Sequence, residues 1–137
     1  MEAEIYPGSC LCGAVRFELS GPPEELLHCH CRMCQKAHGA VFATFARVPH
    51  EAFRITQGED HVASYRSSDV ARRTFCRACG STLQFIRDGS DTFGLAVSAL
   101  DRELEPGPIR EVYTGSKVDW LAESRAHGTA DAVRTWP

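Results

Sequence analysis

The sequence predicts a mainly β, single-domain fold in which cysteine knuckles tie separate parts of a sheet together. Short runs of alternating apolar and polar residues recur between Gly- and Pro-marked turns, as in Ala14–Leu19 and Thr82–Ile86. All seven cysteines fall into local clusters, Cys10 with Cys12, Cys29 with Cys31 and Cys34, and Cys76 with Cys79. The third observation is size: 137 residues, 43% hydrophobic and 24% charged, suit one globular core and give no sign of a second, so residues 1–137 are read as one domain.

Taken in order, Gly8 to Gly13 is a glycine-flanked turn carrying the first thiol pair, and Ala14–Leu19 leaves it as a half-buried strand. Gly21-Pro22-Pro23 breaks the chain before Glu24–Leu27 leads into the triplet, which is placed on a strand end or loop. Met33–His38 is expected as a short helical turn stopped by Gly39, and Ala40–Ala46 as a buried strand closed by Pro49. Phe53–Thr56 and His61–Tyr65 are read as a hairpin around Gly58. Val70–Phe75 enters the second pair as a strand and Thr82–Ile86 leaves it as one, followed by Thr92–Val97 and a last strand at Ile109–Tyr113. Val118–Ala126 is read as a short helix.

Composition narrows the partners. A formal charge of −3 lacks the basic excess that marks nucleic-acid or anionic-membrane binders, so neither is expected. Met1–Pro7 is acidic and lacks the basic and apolar regions of a signal peptide, and no apolar run reaches membrane-spanning length. The protein is therefore expected in the cytoplasm, where structural disulfides are rare. An odd number of cysteines cannot all pair, and thiols grouped this tightly point to metal, with zinc the expected ion. A thioredoxin-type Cys76-x-x-Cys79 would need a following helix, whereas the next segment reads as a strand.

The motifs Gly8-x-Cys10-x-Cys12-Gly13-x-Val15-x-Phe17, Cys29-x-Cys31-x-x-Cys34 and Phe75-Cys76-x-x-Cys79-Gly80-Ser81 together resemble the glutathione-dependent formaldehyde-activating enzyme family, whose wider group includes centromere protein V. Tyr65–Ser68 and Leu100-Asp101 extend the resemblance over most of the chain. It implies a β-tent-like zinc fold and a carbon–sulfur lyase activity joining or separating a thiol such as glutathione and a small aldehyde. The late strand that carries a histidine in that family reads Ile109-Arg110-Glu111 here.

Two pairs and one triplet divide into one closed set of four, Cys10, Cys12, Cys76 and Cys79, and one set of three, Cys29, Cys31 and Cys34, that keeps a position open. The resemblance implies the same partition, with two zinc ions per chain: the first structural, the second reactive. A zinc on three thiolates carries net −1, acidifies water less than one on imidazoles, and favours exchange with soft sulfur. His28, His30 and His38 are read as surface or core residues, since no spacing rule demands a fourth ligand, and Ser81 as a turn residue donating to a thiolate. Seven thiolates and two Zn²⁺ add −3 to the formal −3, leaving about −6. Arg32, Arg72, Arg73 and Arg77 can offset that charge, and the first three form a candidate clamp for substrate carboxylates. Two other classes stay open on the residues alone, a zinc-organised binding or assembly module and a thiol redox sensor.

Overall fold

Residues 4–121 are described in the structure, a computed structural model. In chain order the elements are β1 (Ile5–Ser9), β2 (Arg16–Ser20), β3 (Glu25–Cys29), α1 (Arg32–His38), β4 (Ala43–Pro49), β5 (Phe53–Gln57), β6 (Val62–Ser68), β7 (Ala71–Cys76), β8 (Thr82–Arg87), β9 (Thr92–Ala96) and β10 (Ile109–Val112). They form two sheets, a small one in the order β1-β2-β5 and a larger one in the order β10-β3-β4-β9-β8-β7-β6.

Alternation on the strands builds the core. On β2, Phe17 and Leu19 point inward while Arg16 and Ser20 face solvent. They join Tyr6 of the small sheet to Val48, Leu83, Phe93 and Leu95 of the large one in a single buried cluster, so the core lies between the sheets. Every pairing is antiparallel except that of β10 with β3, which run parallel with Glu111 opposite His28 and Val112 opposite Cys29.

Several expectations are met closely. The helix ends with Gly39 in the left-handed conformation (φ 58°, ψ 42°), which glycine adopts without a Cβ penalty. The triplet spans the end of β3 and the start of α1. Others need correction. Phe53–Thr56 and His61–Tyr65 are not a hairpin: β5 pairs with β2 in the small sheet, and β6 pairs with β7 in the large one. Gly58 explains the difference. At φ 76° it turns the chain away from β5, and a Cβ there would lie 1.9 Å from the Ala14 carbonyl oxygen. The buried strand expected at Ala40–Ala46 runs instead from Ala43 to Pro49, and a strand for which no expectation was given, Ile5–Ser9, takes in Gly8 and Ser9 of the expected turn. Pro7 is tolerated because β1 lies at a sheet edge. The helix expected at Val118–Ala126 has no helical residues over 118–121, and the remainder lies outside the described residues.

The last strand is pinned by side chains as well as by its backbone. Glu111 Oε2 lies 2.8 Å from His28 Nδ1 and its Oε1 lies 2.7 Å from His30 Nε2. His28 stacks on Phe42 at 4.0 Å, and the amide of Gln35 donates to the His30 and Ser116 carbonyls. The residue that follows β10, Tyr113, is the one non-glycine with positive φ (56°) among the described residues.

Candidate metal centres and the adjoining cavity

The first thiol group is assembled from distant parts of the chain. Cys10 and Cys12 sit on the turn between β1 and β2, and Cys76 ends β7 one tight turn before Cys79. The four Sγ atoms lie within 4.8 Å of one another, with 3.6 Å between Cys10 and Cys12 and 3.9 Å between Cys12 and Cys76. Tetrahedral ligation with metal–sulfur bonds near 2.3 Å requires sulfur–sulfur spacings of about 3.8 Å, so this donor set fits a zinc ion. Backbone groups support it: Val15 N–H donates to Cys10 Sγ at 3.3 Å. Ser81 stands at this group as a turn residue, but its hydroxyl accepts where donation to a thiolate was expected, taking Leu11 N–H at 2.8 Å and the Cys79 thiol at 3.2 Å.

The second group is local. Cys29, at the end of β3, and Cys31 and Cys34, at the start of α1, also bring their sulfurs within 4.8 Å. Cys31 caps the helix, its Sγ accepting from Cys34 N–H at 3.3 Å. Among the described residues the group takes in no histidine: His28 and His30 are held by Glu111, and His38 packs edge-on against Phe45. Burial and the nearby Arg73 charge lower the His38 pKa to about 4, so its ring is neutral at pH 7.

Each group holds thiols of opposed acidity. The Ser81 hydroxyl and backbone, with the Cys12 backbone, lower the Cys79 pKa to about 5. Burial pushes Cys34 up to about 12 despite Arg73 beside it, while at Cys31 the Cys34 N–H and the neighbouring thiols outweigh burial and pull the thiol down. Thiolates in contact repel one another, and a bound cation relieves that repulsion for the whole set.

The two groups differ in what surrounds them. Cys29, Cys31 and Cys34 line a cavity of about 610 Å³ walled by β3, β4, β6, β7, β8, β9 and the residues at the end of β10. Of the three expected clamp arginines, only Arg73 lines it. Arg32 is exposed and donates to Gln35 Oε1, and Arg72 takes the alternate position on β7 opposite Arg66. Arg77 is exposed, and its backbone N–H donates to the His61 carbonyl. Arg47, Arg87 and Arg110 also reach the cavity, together with Ser67 and Tyr113. Sequence reasoning did not select these residues, because strands far apart in the chain supply them.

A two-sheet β domain with one four-thiol and one three-thiol group defines a class of small β proteins built around cysteine clusters able to hold metal ions. Within that class, the chain belongs to the glutathione-dependent formaldehyde-activating enzyme family, whose sequence model matches residues 5–116. A Halomonas elongata protein named for that glutathione-dependent activity is 30% identical over 130 residues, covering 88% of this chain and 83% of the relative. An uncharacterized lyase of Schizosaccharomyces pombe is 34% identical over 80 residues, or 58% of this chain, and the chain spans only 56% of that relative's length. The crystal structure of a Rhodobacter sphaeroides protein superimposes with a TM-score of 0.62 at 24% identity, covering 77% of this chain and 98% of the other, and so shares the fold. No helix among the described residues is long and apolar enough to cross a membrane.

Proposed function

We propose that this chain is a zinc-dependent enzyme of carbon–sulfur bond chemistry, a lyase type that forms or cleaves the adduct between a thiol such as glutathione and a small aldehyde. In this reading residues 1–137 act as one domain in the cytoplasm with two zinc ions per chain. Cys10, Cys12, Cys76 and Cys79 hold the structural ion, and Cys29, Cys31 and Cys34 the reactive one. The observation that carries the reading is the contrast between the groups: four thiols complete one ligand set, whereas three thiols, joined by no histidine among the described residues, open on a cavity.

Zinc at the triplet supplies a Lewis-acidic centre that favours the substrate sulfur as thiolate. In the joining direction the sulfur forms a bond to the carbonyl carbon, the carbon–oxygen π pair moves to oxygen, and the proton given up by the thiol ends on that oxygen. The reverse step cleaves the adduct with the same balance. Arg73, whose Nη2 lies 3.5 Å from Cys34 Sγ, is placed to offset negative charge at the sulfurs and at a developing oxyanion. Of the three arginines read as a clamp, it takes that part from inside the cavity, while Arg32 and Arg72 act on the field from outside.

Cobalt substitution tests the reading. Millimolar glutathione should strengthen the sulfur-to-cobalt charge-transfer absorption, an alcohol of similar size should not, and Cys31→Ser should abolish the response. Protein that retains both metals and shows no change with any thiol would overturn it.

A further inference from the structure

The cavity beside the triplet differs from what the peptide glutathione would need. Leu27, Phe45, Phe85, Phe93 and Val112 line it, and no aspartate or glutamate among the described residues does. Two of its arginines are already paired, Arg47 with Glu24 and Glu25 and Arg110 with Glu25, and Arg87 is exposed. Arg73 is different. It is 7% exposed, its guanidinium lies 4.9 Å from the centre of the Phe85 ring, and its Nη2 lies on Cys34 Sγ. Its Nε and Nη1 are buried and have no hydrogen-bond partner among the described residues.

The Ser67 hydroxyl on the same cavity is likewise buried without a partner. Its position follows from a bulge: the β6–β7 register slips between Arg66 and Ser68, so two successive serines, Ser67 and Ser68, both line the cavity instead of alternating across the sheet. Idle buried donors are costly unless something meets them, and a guanidinium and a hydroxyl that open on one cavity can both donate to a carboxylate bound there.

We propose that this cavity selects a thiol, or its adduct, with an apolar body of aromatic size and one carboxylate close to the sulfur, the carboxylate lying on Arg73 and Ser67. The inference rests on the zinc–thiol reading and narrows its substrate. Glutathione brings two carboxylates and an ammonium, and among the described residues the cavity has no carboxylate side chain to receive the ammonium. A volume of about 610 Å³ also far exceeds a one-carbon carbonyl, so the apolar wall is available to the substrate's body.

The test is calorimetric titration of the zinc-loaded full chain with 2-mercapto-3-phenylpropanoate and with the two thiols that each remove one feature: 2-phenylethanethiol, lacking the carboxylate, and mercaptoacetate, lacking the ring. Glutathione is the fourth ligand. The complete ligand should bind about tenfold or more tightly than each of the others. Arg73→Met should bring it level with 2-phenylethanethiol while leaving the latter within about threefold, and Ser67→Ala should weaken the complete ligand about threefold or more. Glutathione binding as tightly as the complete ligand, or a carboxylate advantage that survives both substitutions, overturns the proposal. The cobalt form separates two failures. A charge-transfer response to glutathione, with no preference for the complete ligand, removes the substrate class alone, whereas no response to any thiol removes the zinc–thiol reading and this inference together.

Discussion

Replacing Cys76 by serine should cost far more stability than replacing Cys34, although each removes one thiol from a candidate metal centre. Cys76 is fully buried, and its Sγ meets that of Cys12 across 64 residues of sequence, joining the turn after β1 to the end of β7. Treated as a cross-link, closing a loop of that length is worth about 4 kcal/mol, while the five-position separation of Cys29 and Cys34 corresponds to about 2 kcal/mol. A small domain has only about 5–15 kcal/mol in total. Cys76→Ser should therefore unfold the chain or sharply lower its urea midpoint, and Cys34→Ser should leave it folded within about 2 kcal/mol of the parent. The assay is urea denaturation of zinc-saturated protein followed by far-ultraviolet circular dichroism, with a chelator-treated sample setting the metal-free baseline. Equal midpoints for the two variants, or Cys76→Ser protein with its full zinc content and parental stability, would refute the assignment of structural and reactive roles.

Native mass spectrometry of anaerobically purified protein should show two zinc ions per chain, with a chelator removing the triplet's ion first; one ion with three freely alkylated cysteines contradicts the two-site division. Gly58→Ala should destabilise by about 2 kcal/mol or more, because it combines φ 76° with a Cβ 1.9 Å from the Ala14 oxygen; an unchanged melting temperature would show that the β5–β6 corner relaxes freely. His38 supplies a pH effect. Its folded pKa of about 4 lies below its ordinary value of 6.5, so the unfolded chain binds more protons between them and stability falls as pH drops through that window. In zinc-saturated protein His38→Gln should flatten the dependence of urea midpoint on pH from 6.5 to 4, and an identical slope would rule the residue out as a contributor.

The sequence carried the two thiol sets by residue number because spacing is itself the signal for ligands brought together by tight turns. It carried β2, whose alternation over Arg16–Leu19 is unbroken, and the strand that enters Cys76, although there Arg73 and Thr74 are both buried. What remained hidden was pairing. Gly58 between two strand-like runs has the look of a hairpin turn, yet whether strands meet each other or part into different sheets depends on partners elsewhere in the chain. The same limit applies to the cavity. Arg73 could be suspected from its charge, but nothing local distinguishes it from Arg72 except which face of β7 turns inward. Ser67 depends on a bulge that exists only once β6 is registered against β7. Glu111 stands on the strand where a histidine was expected, and it serves as a carboxylate bridge to two histidines supplied by β3 and the residue after it.

The separation of the first thiol group along the chain also bears on how the protein acquires metal during synthesis. At about 5–20 residues per second, Cys76 leaves the ribosome roughly 3–13 s after Cys12, so the early pair waits without its partners. The triplet emerges within a single short segment and is complete as a ligand set almost at once. The centre with fewer ligands is thus the first that can capture an ion, and the centre that fastens the two sheets is the last. On the proposed two-ion reading, loading order and final affinity would therefore run in opposite directions.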